Sequence, residues 1–269
     1  MTRIESPSSI NTFKQCPRKY YYRYILKLPS KKNIHQVRGN IVHSVLEDFF
    51  DINIEGISKD NYELDFKAII LDLLKQKWLE NKKDIFSLGL RNEEIGYYFN
   101  ESQTMLLQWL EDFLDKLDTN NLVESFNAIK PVREEEFFSE EHQVRGFIDA
   151  IHEGEEINLV DYKTSSRFEI NEEIKLQLGI YALLYSEKNG KMPDKATVNF
   201  LKFGEKEIQI TEDLIEDAKK TCKTIQQATQ SEDFNDYPMQ EGPLCKWRTG
   251  QCDYYEHCLE RKSLKENKV

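Results

Sequence analysis

Four cysteines lie at the two ends of this chain, and a site that they share would bring those ends together. Cys16 stands near the start, whereas Cys245, Cys252 and Cys258 lie close together near the end, the first of them 229 residues downstream. Four thiolates suit either a zinc ion or a [4Fe–4S] cluster. A site that closes so long a loop would restrict the unfolded chain and hold the first helix to the tail.

The length and hydrophobicity of the chain limit its class. With 269 residues it can form one large domain or two small ones, and it can bury a core without disulfides. No apolar run reaches the roughly 18–20 residues that span a bilayer, and the start lacks the charged-then-apolar layout of a signal peptide. We therefore expect a cytoplasmic protein without a membrane partner, in which clustered thiols are metal ligands more often than disulfides.

The charge is distributed unevenly along the chain. A net charge of −11 argues against a nucleic-acid partner. Residues 6–46, however, contain no Asp or Glu and eight basic side chains. These are Lys14, Arg18, Lys19, Arg23, Lys27, Lys31, Lys32 and Arg38. A local basic face of this kind is what phosphate binding needs, although a solvated helix face has the same composition.

Tyrosines interleave with the first of these basic residues. Tyr20, Tyr21 and Tyr24 recur at helical spacing. Such a stripe could stack the bases of a nucleic acid. It could equally be the buried face of the helix.

The apolar pattern divides the chain into a helical part and a mixed part. Helical periodicity predicts a helix over residues 38–53 and two or three more between 62 and 121. Strands are predicted over 132–138, 143–152, 157–162, 197–203 and 207–210, and helices over 171–188 and 212–230. We expect one α/β domain over residues 1–269, made of N-terminal helices (1–53), a helical insertion (54–130), the core (131–235) and the cysteine tail (236–269).

Two aspartates close neighbouring predicted strands. Asp149 follows Gly146 at the end of one strand, and Asp161 lies twelve residues later, a spacing that suits a hairpin with the two strand ends side by side. Two carboxylates from adjacent strands form a hard-oxygen pocket suited to Mg²⁺ or Mn²⁺. The plainer interpretation of an Asp-Tyr-Lys run at a strand end is a solvated turn.

A lysine and a helical pair complete the pattern. Lys163 is two residues after Asp161, so both side chains point to the same face of the strand. A lysine beside a bound metal can orient the attacking water or stabilise charge on a phosphate. Gln177 and Tyr181 share one helix face at i and i+4, and both could point at the same site. As plain helix residues, they would be a solvated side chain and a core side chain.

Taken together, these segments resemble the RecB-like branch of the PD-(D/E)XK nuclease superfamily, and within it the iron–sulfur members. These include the CRISPR-associated RecB-like exonucleases, the nuclease domain of AddB and the nuclease of the eukaryotic Okazaki-fragment helicase. The resemblance rests on residues 16–21, 39–47, 146–149, 161–164 and 177–181 and on the last three cysteines. It implies a restriction-endonuclease-like core, with a central mixed β-sheet flanked by helices and an iron–sulfur staple between the N-terminal helix and the tail.

The resemblance also implies a role for each site residue. His43, Asp149, Asp161 and the backbone carbonyl of Tyr162 would be the metal ligands. Lys163 would be the catalytic lysine, and Gln177 and Tyr181 would position the lysine, the water or the DNA. Without the resemblance, His43 would be interpreted as a core histidine, because it shares an apolar helix face.

Two glutamates are candidates for supporting the ligands. Glu47 follows His43 at i+4 on the same helix face and could be its hydrogen-bonding partner. Glu136 lies at a comparable place on the preceding strand. The plain alternative for Glu47 is an ordinary surface carboxylate.

The cysteine spacing also departs from zinc sites. Structural zinc sites usually pair cysteines two to four residues apart, whereas here six and five residues separate the last three. This spacing matches the iron–sulfur pattern of the RecB-like nucleases, so we expect Cys16, Cys245, Cys252 and Cys258 to hold a [4Fe–4S] cluster. Cys222 lies within a predicted helix and is expected to be a buried free thiol.

The resemblance implies a Mg²⁺- or Mn²⁺-dependent DNA exonuclease that favours single-stranded ends in DNA repair, recombination or CRISPR adaptation. Basic residues at both ends are expected to contact DNA: Arg18, Lys19, Arg23, Lys246 and Arg248. The 269 residues contain no helicase phosphate-binding Gly-x-x-x-x-Gly-Lys-Ser/Thr motif, so unwinding would need a helicase or CRISPR-adaptation partner. The alternative is a DNA-binding component of a processing complex, either non-catalytic or a structure-specific endonuclease.

Overall fold

The computed structural model describes residues 3–248 and 250–259. Seven helices precede the sheet: α1 (Pro7–Gln15), α2 (Pro17–Tyr20), α3 (Ile34–Phe49), α4 (Tyr62–Glu80), α5 (Lys82–Ser87), α6 (Asn92–Leu114) and α7 (Leu122–Ile129). A π-helical turn continues α2 over Tyr21–Ile25. In the part of the chain that is described, no helix is long and apolar enough to cross a membrane.

A five-stranded mixed sheet forms the centre of the fold. Its strands are β1 (Val132–Ser139), β2 (Val144–Glu153), β3 (Ile157–Lys163), β4 (Lys195–Phe200) and β5 (Gly204–Gln209), in that spatial order. Only the β3–β4 pair is parallel, and α8 (Glu172–Asn189) makes the crossover between them. Helix α9 (Glu212–Ala228) follows, and a short hairpin of β6 (Lys246–Trp247) and β7 (Gly250–Gln251) lies in the tail. The predicted α/β core, a mixed sheet flanked by helices, is confirmed.

Two element boundaries differ from the prediction for local reasons. Helix α3 begins at Ile34 instead of residue 38, because the Asn33 side chain caps Gln36 N–H and the Gln36 side chain returns to the Asn33 N–H. Strand β4 ends at Phe200 instead of 203. A tight turn follows it, and Gly204 takes the φ of +117° that starts β5.

The two faces of the sheet bury separate cores. On one face, α3, α4, α6 and α7 pack around Phe49, Phe66 and Trp109, and this core reaches the sheet at Ala150 and Val160. The helices between α3 and β1 therefore pack as part of this domain, against the sheet. On the other face, α8 and α9 cover apolar residues of β2, β3 and β4. Cys222 is buried there as a free thiol, as expected.

The two ends of the chain meet in an aromatic cluster. Tyr20, Tyr21 and Tyr22 pack against Tyr237 and Tyr254, and all five are buried. The tyrosine stripe of the first helices is thus core, so Tyr20 and Tyr21 do not present faces on which bases could stack. Buried aromatic rings contribute strongly to packing, so this cluster holds the tail against α2.

Gly146 permits close packing between β2 and α8. A Cβ atom at this position would lie 3.0 Å from Tyr181 Cε1 and 3.3 Å from Leu184 Cδ1. Both neighbours are buried in the core beneath α8, so neither can move freely. The glycine therefore sets how closely the helix that carries Tyr181 approaches the strand that carries Asp149.

We expect Gly146→Ala to lower the free energy of unfolding by about 1–3 kcal/mol, because the added methyl overfills this contact. Gly154→Ala is the matched control, since nothing lies within 4 Å of a Cβ built there, and its effect should stay within about 0.5 kcal/mol. Urea unfolding of the three proteins measures both values. Equal stability of the Gly146→Ala protein and the parent would show that α8 does not pack this closely.

Candidate metal and nuclease site

The site lies where strands β2 and β3 separate. Their antiparallel ladder ends at the pair Ala150–Val160. Extended by one residue, the same register would place Asp149 opposite Asp161. Instead, Asp149 turns its side chain into the gap, and its Oδ2 accepts a hydrogen bond of 2.7 Å from the Tyr162 N–H. Both aspartates therefore lie at the break between β2 and β3. Asp161 is near the end of β3, as the hairpin spacing predicted, whereas Asp149 lies within β2 and not at its end.

Asp161 is the buried carboxylate of this pair. Its residue is only 1 % exposed, and burial raises the pKa of its carboxyl, with Lys163 opposing that effect. Lys163 Nζ lies 3.0 Å from Oδ1 and 2.8 Å from Oδ2. Among the described residues, however, Oδ2 has no hydrogen-bond partner of good geometry. The Lys163 ammonium group therefore offsets part of the cost of burying this carboxylate, and a further cation could offset the rest.

Gln177 connects α8 to the strand carboxylate and to the lysine. Its Oε1 accepts a hydrogen bond of 2.9 Å from Lys163 Nζ, and its Nε2 donates to Asp161 Oδ1 at 3.0 Å. The same Nε2 lies 2.7 Å from the Tyr181 hydroxyl. The amide thus fixes the lysine beside Asp161, and Tyr181 holds the amide. The structure brings Gln177 and Tyr181 to the site by the i, i+4 spacing that the sequence indicated.

His43 reaches the site from α3, on the other face of the sheet. Its Nδ1 lies 3.3 Å from Asp149 Oδ1, and the ring meets Tyr162 edge to face. Burial lowers the pKa of His43, but the carboxylates of Asp149 and Asp161 together outweigh it, so the pKa is raised. His43 is therefore not a core histidine packed only among apolar side chains.

Glu134 joins the site although the sequence analysis did not single it out. The β1–β2 register places it opposite Asp149. Oxygen and nitrogen ligand atoms of His43, Glu134 and Asp149 all lie within 4.8 Å of one another. Glu134 also has a φ of +46°, an uncommon conformation for a residue with a side chain and one that is often found at functional sites. Its cross-strand position relative to Asp149 depends on the strand register, which the sequence pattern does not give.

Of the two glutamates predicted to support the ligands, Glu47 lies beside the site and Glu136 does not. Glu136 pairs with Phe147 across the strands, and its carboxylate, half exposed, lies 3.6 Å from Arg145. Glu136 therefore lies two residues along β1 from the position opposite Asp149, and Glu134 occupies that position. Glu47 lines a small cavity with His43, Glu134 and Asp149, and its role as the hydrogen-bonding partner of His43 stays a prediction.

The donor set suits a divalent cation. Carboxylates and one imidazole converge at a small gap, and oxygen-rich sites of this type bind Mg²⁺ or Mn²⁺. Asp161 adds a buried oxygen without a hydrogen bond among the described residues. His43, Glu134 and Asp149 therefore fit the divalent metal that the resemblance implies, whereas Asp161, also an expected ligand, lies outside this group of three and pairs with Lys163.

The four cysteines of the two chain ends line one cavity. Cys16, Cys245, Cys252 and Cys258 surround a space of about 380 Å³ together with the loop 239–244. Gln240 bridges two of them, since its N–H faces Cys16 Sγ at 3.5 Å and its carbonyl faces Cys245 Sγ at 3.8 Å. Burial and the neighbouring thiols Cys16 and Cys252 raise the pKa of Cys258 to about 11. No disulfide joins any of these cysteines within the described ranges.

The basic residues that were expected to contact DNA are unequally accessible. Arg18 is buried, donates to the Tyr237 carbonyl at 2.6 Å and packs over the Phe234 ring. It therefore has a packing role, because a phosphate would reach it only if this contact opened. Lys19 and Lys246 line the cysteine cavity, and Arg248 is exposed. Arg23 is half-buried over the Tyr24 ring.

Comparison with known proteins identifies the class. The profile of the PD-(D/E)XK nuclease superfamily matches residues 5–259. The chain therefore belongs to the PD-(D/E)XK nuclease superfamily, whose members use divalent metals. The match includes the strands that carry Asp149, Asp161 and Lys163.

Two individual proteins are similar to the chain. One subunit of the ATP-dependent helicase/deoxyribonuclease of Clostridium perfringens is 26 % identical over 210 residues, which cover 68 % of this chain and 18 % of that protein. The chain thus spans about a fifth of the length of this relative. A solved structure of a candidate exonuclease from Eubacterium rectale superposes with a TM-score of 0.54 at 11 % identity, covering 95 % of this chain and 88 % of that one. At that identity the likeness concerns the fold alone.

Glu134 makes the stability of the metal-free protein depend on pH. Burial and the nearby carboxylates of Asp149 and Glu47 raise its pKa to about 7. Between about pH 4.5 and pH 7 the folded state therefore holds a proton that the unfolded state has released, and stability falls as the pH rises through this range. We expect Glu134→Gln, in EDTA, to be more stable than the parent at pH 8 and to lose that advantage near pH 4.5.

Thermal unfolding at both pH values measures the difference. Glu136→Gln, two residues along the same strand, is the matched control and should follow the parent at both. If Glu134→Gln and the parent differ equally at pH 4.5 and pH 8, Glu134 does not titrate in this range.

Proposed function

We propose that this chain is a divalent-metal-dependent deoxyribonuclease that degrades single-stranded DNA from an end. The observation that carries the proposal is the convergence of Asp149, Asp161 and Lys163 at the break between β2 and β3, with His43 and Gln177 in contact with them. Membership of the PD-(D/E)XK superfamily supports hydrolysis of phosphodiester bonds.

Different residues of the chain would bind the metal and contact the water or the phosphate. A divalent metal, when bound, polarises the phosphate and lowers the pKa of a bound water. Asp149 and Asp161 would hold it with His43. Lys163 donates hydrogen bonds, and its ammonium group, fixed by Asp161 and Gln177, is placed to orient the attacking water or to stabilise charge on the phosphate. Because Gln177 is in turn held by Tyr181, the lysine is positioned before substrate arrives.

The preference for single-stranded ends rests on several features. The segment 6–46 is basic and free of acidic residues, and its exposed cations can bind phosphates without base pairing. The Clostridium perfringens relative is named as part of a helicase/deoxyribonuclease, so we propose that a separate helicase supplies the single strand. The predicted role in CRISPR adaptation stays a prediction.

We also propose that Cys16, Cys245, Cys252 and Cys258 hold a [4Fe–4S] cluster. All four line one cavity although Cys16 is 229 residues from the next of them, and four thiolates suit such a cluster. The cavity adjoins the aromatic cluster that joins the chain ends. A cluster there would hold α2 to the tail and keep the basic residues Lys19 and Lys246 on one surface.

Asp161→Ala and Lys163→Met should each lower turnover at least a thousandfold and leave DNA binding within about threefold, because both act on the transition state more than on bound substrate. The assay uses end-labelled single-stranded DNA with Mn²⁺ or Mg²⁺. Lys175→Met, an exposed lysine two residues before Gln177, is the matched control and should keep parental turnover.

Turnover of Asp161→Ala within tenfold of the parent would contradict the nuclease site. Linear and circular single strands of the same sequence separate the two modes of cleavage. Degradation of the linear strand alone supports an exonuclease, whereas equal cleavage of the circle makes the enzyme an endonuclease.

The cluster proposal predicts the colour and metal content of the protein. Purified without oxygen, the parent should be brown, with broad visible absorption and about four irons per chain. Cys258→Ala should lose the iron, whereas Cys222→Ala, which removes a buried thiol outside the cavity, should keep it. One zinc per chain without iron, in a colourless protein, would contradict the cluster.

A further inference from the structure

A large open cavity adjoins the metal site. It has a volume of about 750 Å³ and lies between α3, α6 and the loop that follows β3. His43 and Lys163 line one side of it, so it opens directly onto the reacting groups. Its volume is within the range of about 300–1,000 Å³ that is usual for small-molecule sites.

The floor of this cavity carries more positive than negative charge. Arg38, only 2 % exposed, pairs with Glu101, and Lys202 pairs with the same carboxylate. The Arg38 guanidinium also donates to the Thr164 carbonyl at 2.8 Å, which ties it to the residue after Lys163. Arg38, Lys202 and Glu101 together therefore carry a net charge of +1. Burial and the repulsion from these two cations lower the pKa of His35 nearby.

Two tyrosines form an aromatic wall of this cavity. Tyr97 and Tyr98 of α6 line it, and their rings lie edge to face at 5.3 Å. The His35 ring meets Tyr98 at 5.6 Å, also edge to face. Tyr97 is 62 % exposed, so its ring is accessible to a ligand in the cavity. A cavity lined by both aromatic rings and cations suits a nucleotide. The rings can stack on the base, and the cations attract the phosphate.

We propose that this cavity is a nucleotide subsite, which holds one unpaired nucleotide next to the cleaved bond. The base stacks on Tyr97, and the phosphate lies near Lys202 and the exposed Arg167 at the rim. This inference rests on the proposed nuclease function and adds a source for its preference for single strands. A base within a duplex is already stacked and paired, so it can enter the cavity only after it is freed.

The binding test needs no catalysis. Affinity for a fluorescent single-stranded oligonucleotide is measured in EDTA, with the parent, Tyr97→Leu and Tyr97→Phe. Loss of one stacked base should weaken binding by between about fivefold and a hundredfold in Tyr97→Leu, while Tyr97→Phe keeps the ring and the affinity. Phe86→Leu, an exposed aromatic residue outside the cavity, is the matched control.

Lys202→Gln tests the floor separately. It should reduce the slope of log affinity against log salt by roughly 0.7, as expected for one lost phosphate contact on a single strand. Lys75→Gln, a lysine on α4 that lies outside the cavity, should leave the slope unchanged. Each variant's melting temperature is recorded so that a folding defect is recognised.

Cleavage then separates this inference from the proposed function. In Tyr97→Leu the ratio of kcat/KM on single strands to that on duplex should fall, because only unpaired bases use the wall. An active Tyr97→Leu enzyme with parental affinity and parental ratio would overturn the subsite and leave the nuclease intact. A parent that cleaves no DNA, but whose binding is weakened by Tyr97→Leu, would overturn the nuclease and retain the binding cavity.

Discussion

The hydrogen bond between the Asp149 carboxylate and the Tyr162 N–H is the interaction on which the site depends. It satisfies a backbone donor that would otherwise be orphaned where the strand ladder stops, so β2 and β3 can separate without a buried unpaired amide. The separation leaves room between the strands for Asp149 and Asp161 together. Asp161 remains buried and only partly compensated by Lys163. A bound cation would relieve that cost, which is the physical reason to regard this break in the sheet as a metal centre.

Each face of the sheet contributes one side of the site. The helical face supplies α3, which carries His43 and also Arg38, whose guanidinium ties α3 to the end of β3 and to α6. The other face supplies α8, which carries Gln177 at a distance set by the contact between Gly146 and Tyr181. Because both sides are anchored in extensive apolar cores, the polar groups between them are held in place by packing.

Local patterns predicted much of this arrangement. Hairpin spacing placed Asp149 beside Asp161, since strand length and turn length are local properties. Glu134 was missed because its position depends on the register with another strand and on a positive φ that no local pattern reveals. The pairing of Arg38 with Glu101 was missed for a related reason. It joins two helices that are far apart in sequence, and helical periodicity indicates which face is buried but not which partner it meets.

If these residues hydrolyse DNA with a divalent metal, that metal should bind at the break between β2 and β3. Crystals of the protein soaked in Mn²⁺, measured at an energy where manganese scatters anomalously, test it most directly. We expect an anomalous-difference peak within about 2.0–2.5 Å of oxygen or nitrogen atoms of Asp149, Asp161 and His43, which is the usual range of ligand distances for such ions. A strong peak only at the surface group around His142, or full occupancy without contact to either aspartate, would contradict it.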